Sequence, residues 1–338
     1  MDYIEHLDQT LKPTRRSDMR VLDLFAGCGG LALGFEAQGF ETHGYEMNAA
    51  CCATYRCNLL GTCTQAILTT DTDLPPADVI IGGPPCQPFS VGGNQLGLAD
   101  SRDGFPAFIS AVKRLQPRIW LIENVRGLLY KNKWYLDEIL HALRSLGYET
   151  EMRLLNAMHY GVPQNRERLI IVGHRGKFHF PGTHSYIVTA GEALGEMAVA
   201  APDGSRFLTA SMDAYVARYE KASSCISPRD LRLNKPARTL TCRNLAGATG
   251  DMQRIKLPDG RRRRLLMREA ARLQSFPDWF QFKGTETERF NQIGNAVPPL
   301  FAYHLASSIR AYLEAPEQPS SVHYEQPRVP VQMSLPMI

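Results

Sequence analysis

The stretch RVLDLFAGCGGLALGFEAQ, residues 20–38, constrains this chain more than any other: an apolar run stops at a glycine-rich loop and resumes with helical spacing up to Gly39. A buried strand, a tight turn and a helix must follow one another there. The pattern then repeats. ETHGYEMN reads as a short strand before a helix at AACCATYRCN, and DVIIGG as a buried strand that stops at Pro84-Pro85. FPAFISAVKRLQ and YLDEILHALRSLG read as helices on either side of the strand RIWLIENV, with Gly147 as a C-cap, and RLIIVGH reads as a further strand. Strands separated by helices need crossovers, which predicts an α/β fold with a mainly parallel sheet.

After His174 the alternation fails. Pro181, Pro202, Pro228, Pro236 and Pro258 interrupt the stretch to about Arg264, which predicts a second, smaller, irregular lobe. Helical character returns in MREAARLQSF and in PPLFAYHLASSIRAYLEA, and the residues beyond Pro316 read as a mobile tail. The expected division is 1–174, 175–265, a return segment 266–314 and a tail 315–338. No apolar run approaches the roughly twenty residues of a membrane span, and the N-terminus carries acids where a signal peptide carries basic residues. The expectation is a soluble intracellular protein. Five of the eight cysteines fall between Cys28 and Cys63 without paired short spacings, which suggests reduced thiols.

The net charge of +4 conceals an asymmetry, because residues 225–272 hold thirteen Lys or Arg against four Asp or Glu. That segment is +9 and the remainder −5, the distribution of a polyanion-facing surface on an otherwise ordinary enzyme, although a solvated charged face has the same composition.

Three features carry chemistry. Glycines in Phe25-Ala26-Gly27-Cys28-Gly29-Gly30-Leu31 let the backbone approach a ligand, and Glu46, 23 residues after Asp23, sits where an acid would hold ribose hydroxyls. NAD, FAD and S-adenosylmethionine all fit that loop. Cys86, in GGPPCQPFS at the end of a buried strand, is a candidate nucleophile held between prolines, although a lone cysteine is more often a small buried hydrophobe. Glu123, at the end of RIWLIENV, can donate a proton if burial raises its pKa. Together the three suit one reaction. Carbon 5 of cytosine becomes nucleophilic when a thiolate adds at carbon 6 and an acid protonates ring nitrogen 3, and it can then attack a sulfonium methyl. No metal is needed.

The ordered set DLFAGCGG, GGPPCQPFS, ENV, VPQNRERLIIVG, REAARLQSFPD and IGNAVPP resembles the DNA cytosine-5 methyltransferases from residue 20 to about 312. The resemblance implies a Rossmann-like S-adenosylmethionine-dependent methyltransferase sheet with a target recognition domain at 175–265. It makes Cys86 the nucleophile and Glu123 the acid, while Arg166 and Arg168, following Gln164, help to hold the base and order the site. For S-adenosylmethionine it implies Phe25 against the adenine, the backbone of Gly27, Gly29, Gly30 and Leu31 at the methionine end, Glu46 on the ribose and Met47 beside the adenine. Pro85, Asn295 and Ala296 complete that pocket. The acid that commonly holds the adenine amino group is missing, which leaves Gln65, Asp71 or Asp73 for the contact.

The implied partner is double-stranded DNA, bound by a monomer in the bacterial cytoplasm, with a restriction endonuclease acting on the same site. A tRNA-directed enzyme would use the same apparatus. A stacked cytosine must leave the helix to be attacked from both faces, and the glycine-bearing loop from Ser90 to Gly104 is expected to close over it. Ser90, Arg238, Thr239, Thr241 and Arg243 are the expected DNA contacts, with Arg229, Arg232 and Lys235 nearby, whereas Arg261–Arg264 fits either phosphate contact or solvation. Cys51, Cys52, Cys57 and Cys63 are expected in a helical core.

Overall fold

The computed structural model describes residues 2–85, 103–130, 132–222, 224, 229–246 and 251–316. Helix α1 (Tyr3–Thr10), which the sequence pattern did not suggest, starts where the Asp2 side chain accepts the Ile4 N–H. Then come β1 (Arg20–Leu24), α2 (Gly30–Ala37), β2 (Glu41–Glu46), α3 (Ala49–Asn58), β3 (Thr62–Gln65), β4 (Val79–Gly82), α4 (Phe105–Leu115), β5 (Ile119–Val125), the single turn α5 (Gly127–Tyr130) and α6 (Lys133–Arg144). The core closes with β6 (Glu149–Asn156), a 3-10 turn at Ala157–Tyr160, β7 (Gln164–Asn165) and β8 (Glu167–His174). The irregular stretch holds α7 (Ala190–Leu194), α8 (Ala210–Ala222), β9 (Ala237–Arg238), α9 (Cys242–Ala246), β10 (Arg254–Lys256) and β11 (Arg262–Arg264). The return consists of α10 (Met267–Leu273), α11 (Glu286–Asn295) and α12 (Pro299–Glu314).

Seven strands form one sheet in the order β3-β2-β1-β4-β5-β8-β6. The first five are mutually parallel, but β8 runs antiparallel to both β5 and β6. The sheet is thus mainly parallel, as expected, with β8 alone reversed between β5 and the edge strand β6. No helix separates β6 from β8, and a connection that is not a crossover returns the chain antiparallel.

Side chains alternate between the two faces of the sheet. Val21, Val79, Ile81, Ile119, Leu121, Ile170 and Val172 pack towards α2 and α12, and Leu22, Ile80, Trp120, Ile122, Leu169 and Ile171 towards α4 and α6. Each such side chain stabilises the fold by about 1.5–3 kcal/mol. Helix α12 lies along α2 and shares the core cluster that contains Val21 of β1. Gly34 permits this, because a Cβ there would lie 2.4 Å from the Tyr303 nitrogen. A third cluster joins α2, α3, α10 and α11 to Ala190, Leu194, Leu240, Ile255 and Leu257, so the irregular stretch packs directly on the sheet domain.

The run Arg261–Arg264 is not a uniformly exposed cationic face. Arg263 is fully buried against Glu269 at 2.6 Å, Arg262 pairs with Asp213 and Asp230, and Arg261 with Asp259. Alternation along β11 turns the middle arginine inward, where its charge requires a partner. Among the described residues no helix is long and apolar enough to cross a membrane.

Candidate active site

The C-terminal ends of β1, β2, β4 and β5 lie on one edge of the sheet, where open α/β folds bind ligands. Beyond β1 the chain turns sharply, with positive φ at Phe25 (61°), Gly27 (55°) and Gly29 (89°). The Glu46 carboxylate accepts the Gly27 N–H at 2.9 Å and the Asn48 N–H at 2.8 Å, so the acid at the end of β2 is tied to the glycine loop. A Cβ on Gly27 would meet nothing within 4 Å, whereas one on Gly30 would stand 2.4 Å from the Val297 oxygen and 3.3 Å from the Ala296 Cβ. The loop is thus open on one side and packed against the return segment on the other.

Leu31 is buried in the core, so only its backbone can serve a ligand. Met47 is 64% exposed, and its carbonyl accepts from the Gln65 side chain at 3.3 Å, which brings Gln65 to the expected adenine edge. Asp71 and Asp73 are exposed on the loop that follows. Asp23 is buried with one carboxylate oxygen lacking a hydrogen-bond partner; burial first, then the neighbouring Glu46, pushes its pKa well up. An orphaned buried oxygen below an open glycine cradle with an anchored acid beside it fits a nucleoside-bearing cofactor.

Glu123 projects from β5 toward Arg168 on β8, whose Nε lies 2.8 Å from Oε1, and both side chains are nearly buried. The register explains the pair: Arg168 opposes Val125, and Glu123 is two residues back on the same face. The Oε2 atom faces Gly83, 3.4 Å from where a Cβ would begin, so Gly83 leaves room beside the carboxylate. Asn124, which sequence reasoning did not assign, donates from Nδ2 to the Pro84 carbonyl at 3.0 Å and so couples the ends of β4 and β5. Pro85 lies against Gly104 and Phe25, since a Cβ on Gly104 would be 2.5 Å from the Pro85 ring, and the Gly104 N–H donates to the Pro85 carbonyl. Cys86, the next residue, and Ser90 lie outside the described residues, as does the loop to Gly104 except for Asp103 and Gly104. Asp103 is anchored by the Tyr135 hydroxyl and caps the Phe105 N–H.

Arg166 is 1% exposed and donates to the carbonyls of Leu240 (2.8 Å), Gly294 (3.2 Å) and Ala296 (2.9 Å). The guanidinium thus ties together the segments around Leu240 and Gly294–Ala296. Burial, and then Arg168, lowers its pKa to about 9, so it remains a cation at neutral pH. Gln164 and Gln274 join the same hub. The Gln164 side chain accepts from the Leu240 N–H and donates to Gln274, which donates to the carbonyls of Ile293 and Ala296. Gln274 belongs to REAARLQSFPD, so its motif was visible although its role was not. Asn295 is exposed, and its Oδ1 accepts from the Cys242 thiol at 2.9 Å.

A cleft of about 620 Å³ separates the β5–β8 edge from the irregular stretch, lined by Val125, Arg126 and Arg168 on one side and by Arg229, Arg232, Lys235, Arg238 and Thr239 on the other. The Thr239 hydroxyl donates to the Asn165 carbonyl, and Thr241 caps α9 through reciprocal bonds with Asn244. Thr239 therefore shapes the cleft wall, whereas Thr241 serves as the cap of α9. Arg243 is 81% exposed.

The expected helical core of cysteines is only half correct: Cys52 is buried on α3, but Cys57 is exposed and Cys63 lies on β3. Burial pushes the Cys28 thiol up to about 12 and raises those of Cys51, Cys52, Cys63 and Cys242, so none of these is a ready thiolate near neutrality.

The sheet, its glycine loop and the strand-end acid define a Rossmann-like methyltransferase fold of the cytosine-5 kind. Solved structures align with it: a putative DNA modification methyltransferase from an Escherichia coli prophage covers 88% of this chain and 100% of its own, at a TM-score of 0.63 and 24% identity. Spodoptera frugiperda DNMT2 also covers 88% of this chain and 100% of its own, at a TM-score of 0.65 and 16% identity. The family model for C-5 cytosine-specific DNA methylase matches residues 19–311, and the chain belongs to that family. The type II methyltransferase M.AplI of Arthrospira platensis is 54% identical across 99% of this chain and 98% of its own length. M.XorII of Xanthomonas oryzae is 32% identical across 89% and 87%.

Proposed function

We propose that this enzyme transfers a methyl group from S-adenosylmethionine to carbon 5 of a cytosine in one short duplex DNA sequence, as the modification partner of a restriction endonuclease. The Glu123–Arg168 pair, beside the Gly83-Pro84-Pro85 segment that delivers Cys86, carries the proposal. The type II relative that matches almost end to end favours DNA over tRNA as substrate.

The Cys86 thiolate adds to carbon 6 of an extruded cytosine while Glu123 donates its proton to ring nitrogen 3, leaving the electron pair at carbon 5. When bound, S-adenosylmethionine supplies an electrophilic methyl. After transfer, a water molecule takes the proton from carbon 5, which restores the ring double bond and expels the thiolate, and the proton at nitrogen 3 returns to Glu123. Arg168 holds the acid in place, and Arg166 holds the turn at Gly294–Ala296 on which the cofactor pocket closes. Phe25, Gly27, Gly29, Gly30, Glu46 and Gln65 would hold the cofactor, with Asn295 and Ala296 on the opposite wall. Residues 175–265 form the target recognition domain, and their cationic cleft wall takes the DNA backbone.

Labelled methyl transfer to unmethylated plasmid duplex, compared with transfer to tRNA, tests this. Transfer to duplex alone, abolished in Cys86→Ser, is expected; transfer to tRNA alone would overturn it.

A further inference from the structure

The acids of the cationic segment are each committed. Asp230 pairs with Arg254 and Arg262, Asp259 with Arg261 and Glu269 with Arg263. The fourth, Asp251, is different, because three guanidiniums converge on it: Arg229 at 3.3 Å, Arg238 at 3.8 Å and Arg243 at 3.5 Å. Two of the three, Arg229 and Arg238, line the cleft. One carboxylate among three arginines leaves a local charge of +2.

We propose that Asp251 is a positioning residue that gathers these three arginines into a preformed seat for a phosphate group of the bound duplex. The inference rests on the duplex reading above. Long arginine side chains lose rotamer freedom when fixed on binding, and a carboxylate that holds them beforehand removes part of that loss. Contacts of 3.3–3.8 Å are looser than the 2.6 Å Arg263–Glu269 and 2.9 Å Arg254–Asp230 pairs, so an incoming phosphate can take over the donors.

The sign of one substitution decides the matter. Asp251→Asn removes a negative charge from the DNA-facing wall, raising its net charge by one, and charge alone would tighten binding. Positioning predicts the reverse: KM for unmethylated plasmid duplex rises roughly tenfold, about 1.4 kcal/mol, while KM for S-adenosylmethionine and the unfolding midpoint hold. Asp251→Glu restores most of the affinity. In an Arg229→Ala, Arg238→Ala, Arg243→Ala background, Asp251→Asn no longer weakens binding, a result that a merely structural role would not give. Unchanged or tighter binding by Asp251→Asn, or an equal loss in the triple background, overturns the inference. Failure of the unsubstituted enzyme to bind duplex would instead refute the duplex reading itself.

Discussion

The Nε of Arg168 stands 2.8 Å from Oε1 of Glu123, tying β8 to the C-terminal end of β5. The antiparallel register makes the pair, since a parallel β8 would carry the arginine at a different height. Glu123→Gln keeps the shape and removes the transferable proton. A positioned acid typically contributes a hundred- to ten-thousand-fold, so kcat should fall by about that factor with KM for duplex little changed. A rise in KM with kcat intact would make Glu123 a binding residue instead.

Arg166 links the segment around Leu240 to the turn at Gly294–Ala296. Arg166→Met would orphan the buried carbonyls of Leu240 and Gly294, each costing on the order of 1–3 kcal/mol, and leave the Ala296 carbonyl to Gln274 alone. Urea unfolding should show a loss of several kcal/mol, and affinity for cofactor and for duplex should fall together. Arg166→Lys should recover only part. Full stability in the methionine variant would contradict the role.

The His304 ring lies 4.8 Å from that of His184, and burial, followed by the charges of His184 and His6, lowers its pKa to about 4. Folded His304 stays neutral where the unfolded chain takes up a proton, so between pH 6.5 and about 4 the unfolded state binds more protons and stability falls as pH falls. The contribution approaches about 1.4 kcal/mol per pH unit inside that window. His304→Gln should flatten the acid limb relative to the unsubstituted protein in denaturant titrations from pH 7 to 4. Parallel curves would refute it.

Most of the sheet was legible in the sequence because its strands are short apolar runs bounded by glycine, proline or helical spacing. β6 was missed because ETEMRLLN lies on an edge and mixes polar residues into its alternation, and α11 because ETERFNQIGN is mostly polar. Glu123 and the glycine loop could be read from local motifs. The hub of Gln164, Arg166 and Gln274 could not, since its members lie up to 130 residues from the groups they hold. Nor could the inward turn of Arg263, which depends on the pairing of two three-residue strands.

Incubation with duplex carrying 5-fluorocytosine at the target position, together with S-adenosylmethionine, tests the central claim most directly. Fluorine cannot leave as a proton does, so the final elimination is blocked. The predicted result is a denaturant-stable protein–DNA adduct, methylated at carbon 5, with the peptide containing Cys86 attached to carbon 6. Absence of any adduct while ordinary cytosine at that position is methylated, or attachment at a different residue, would contradict the account.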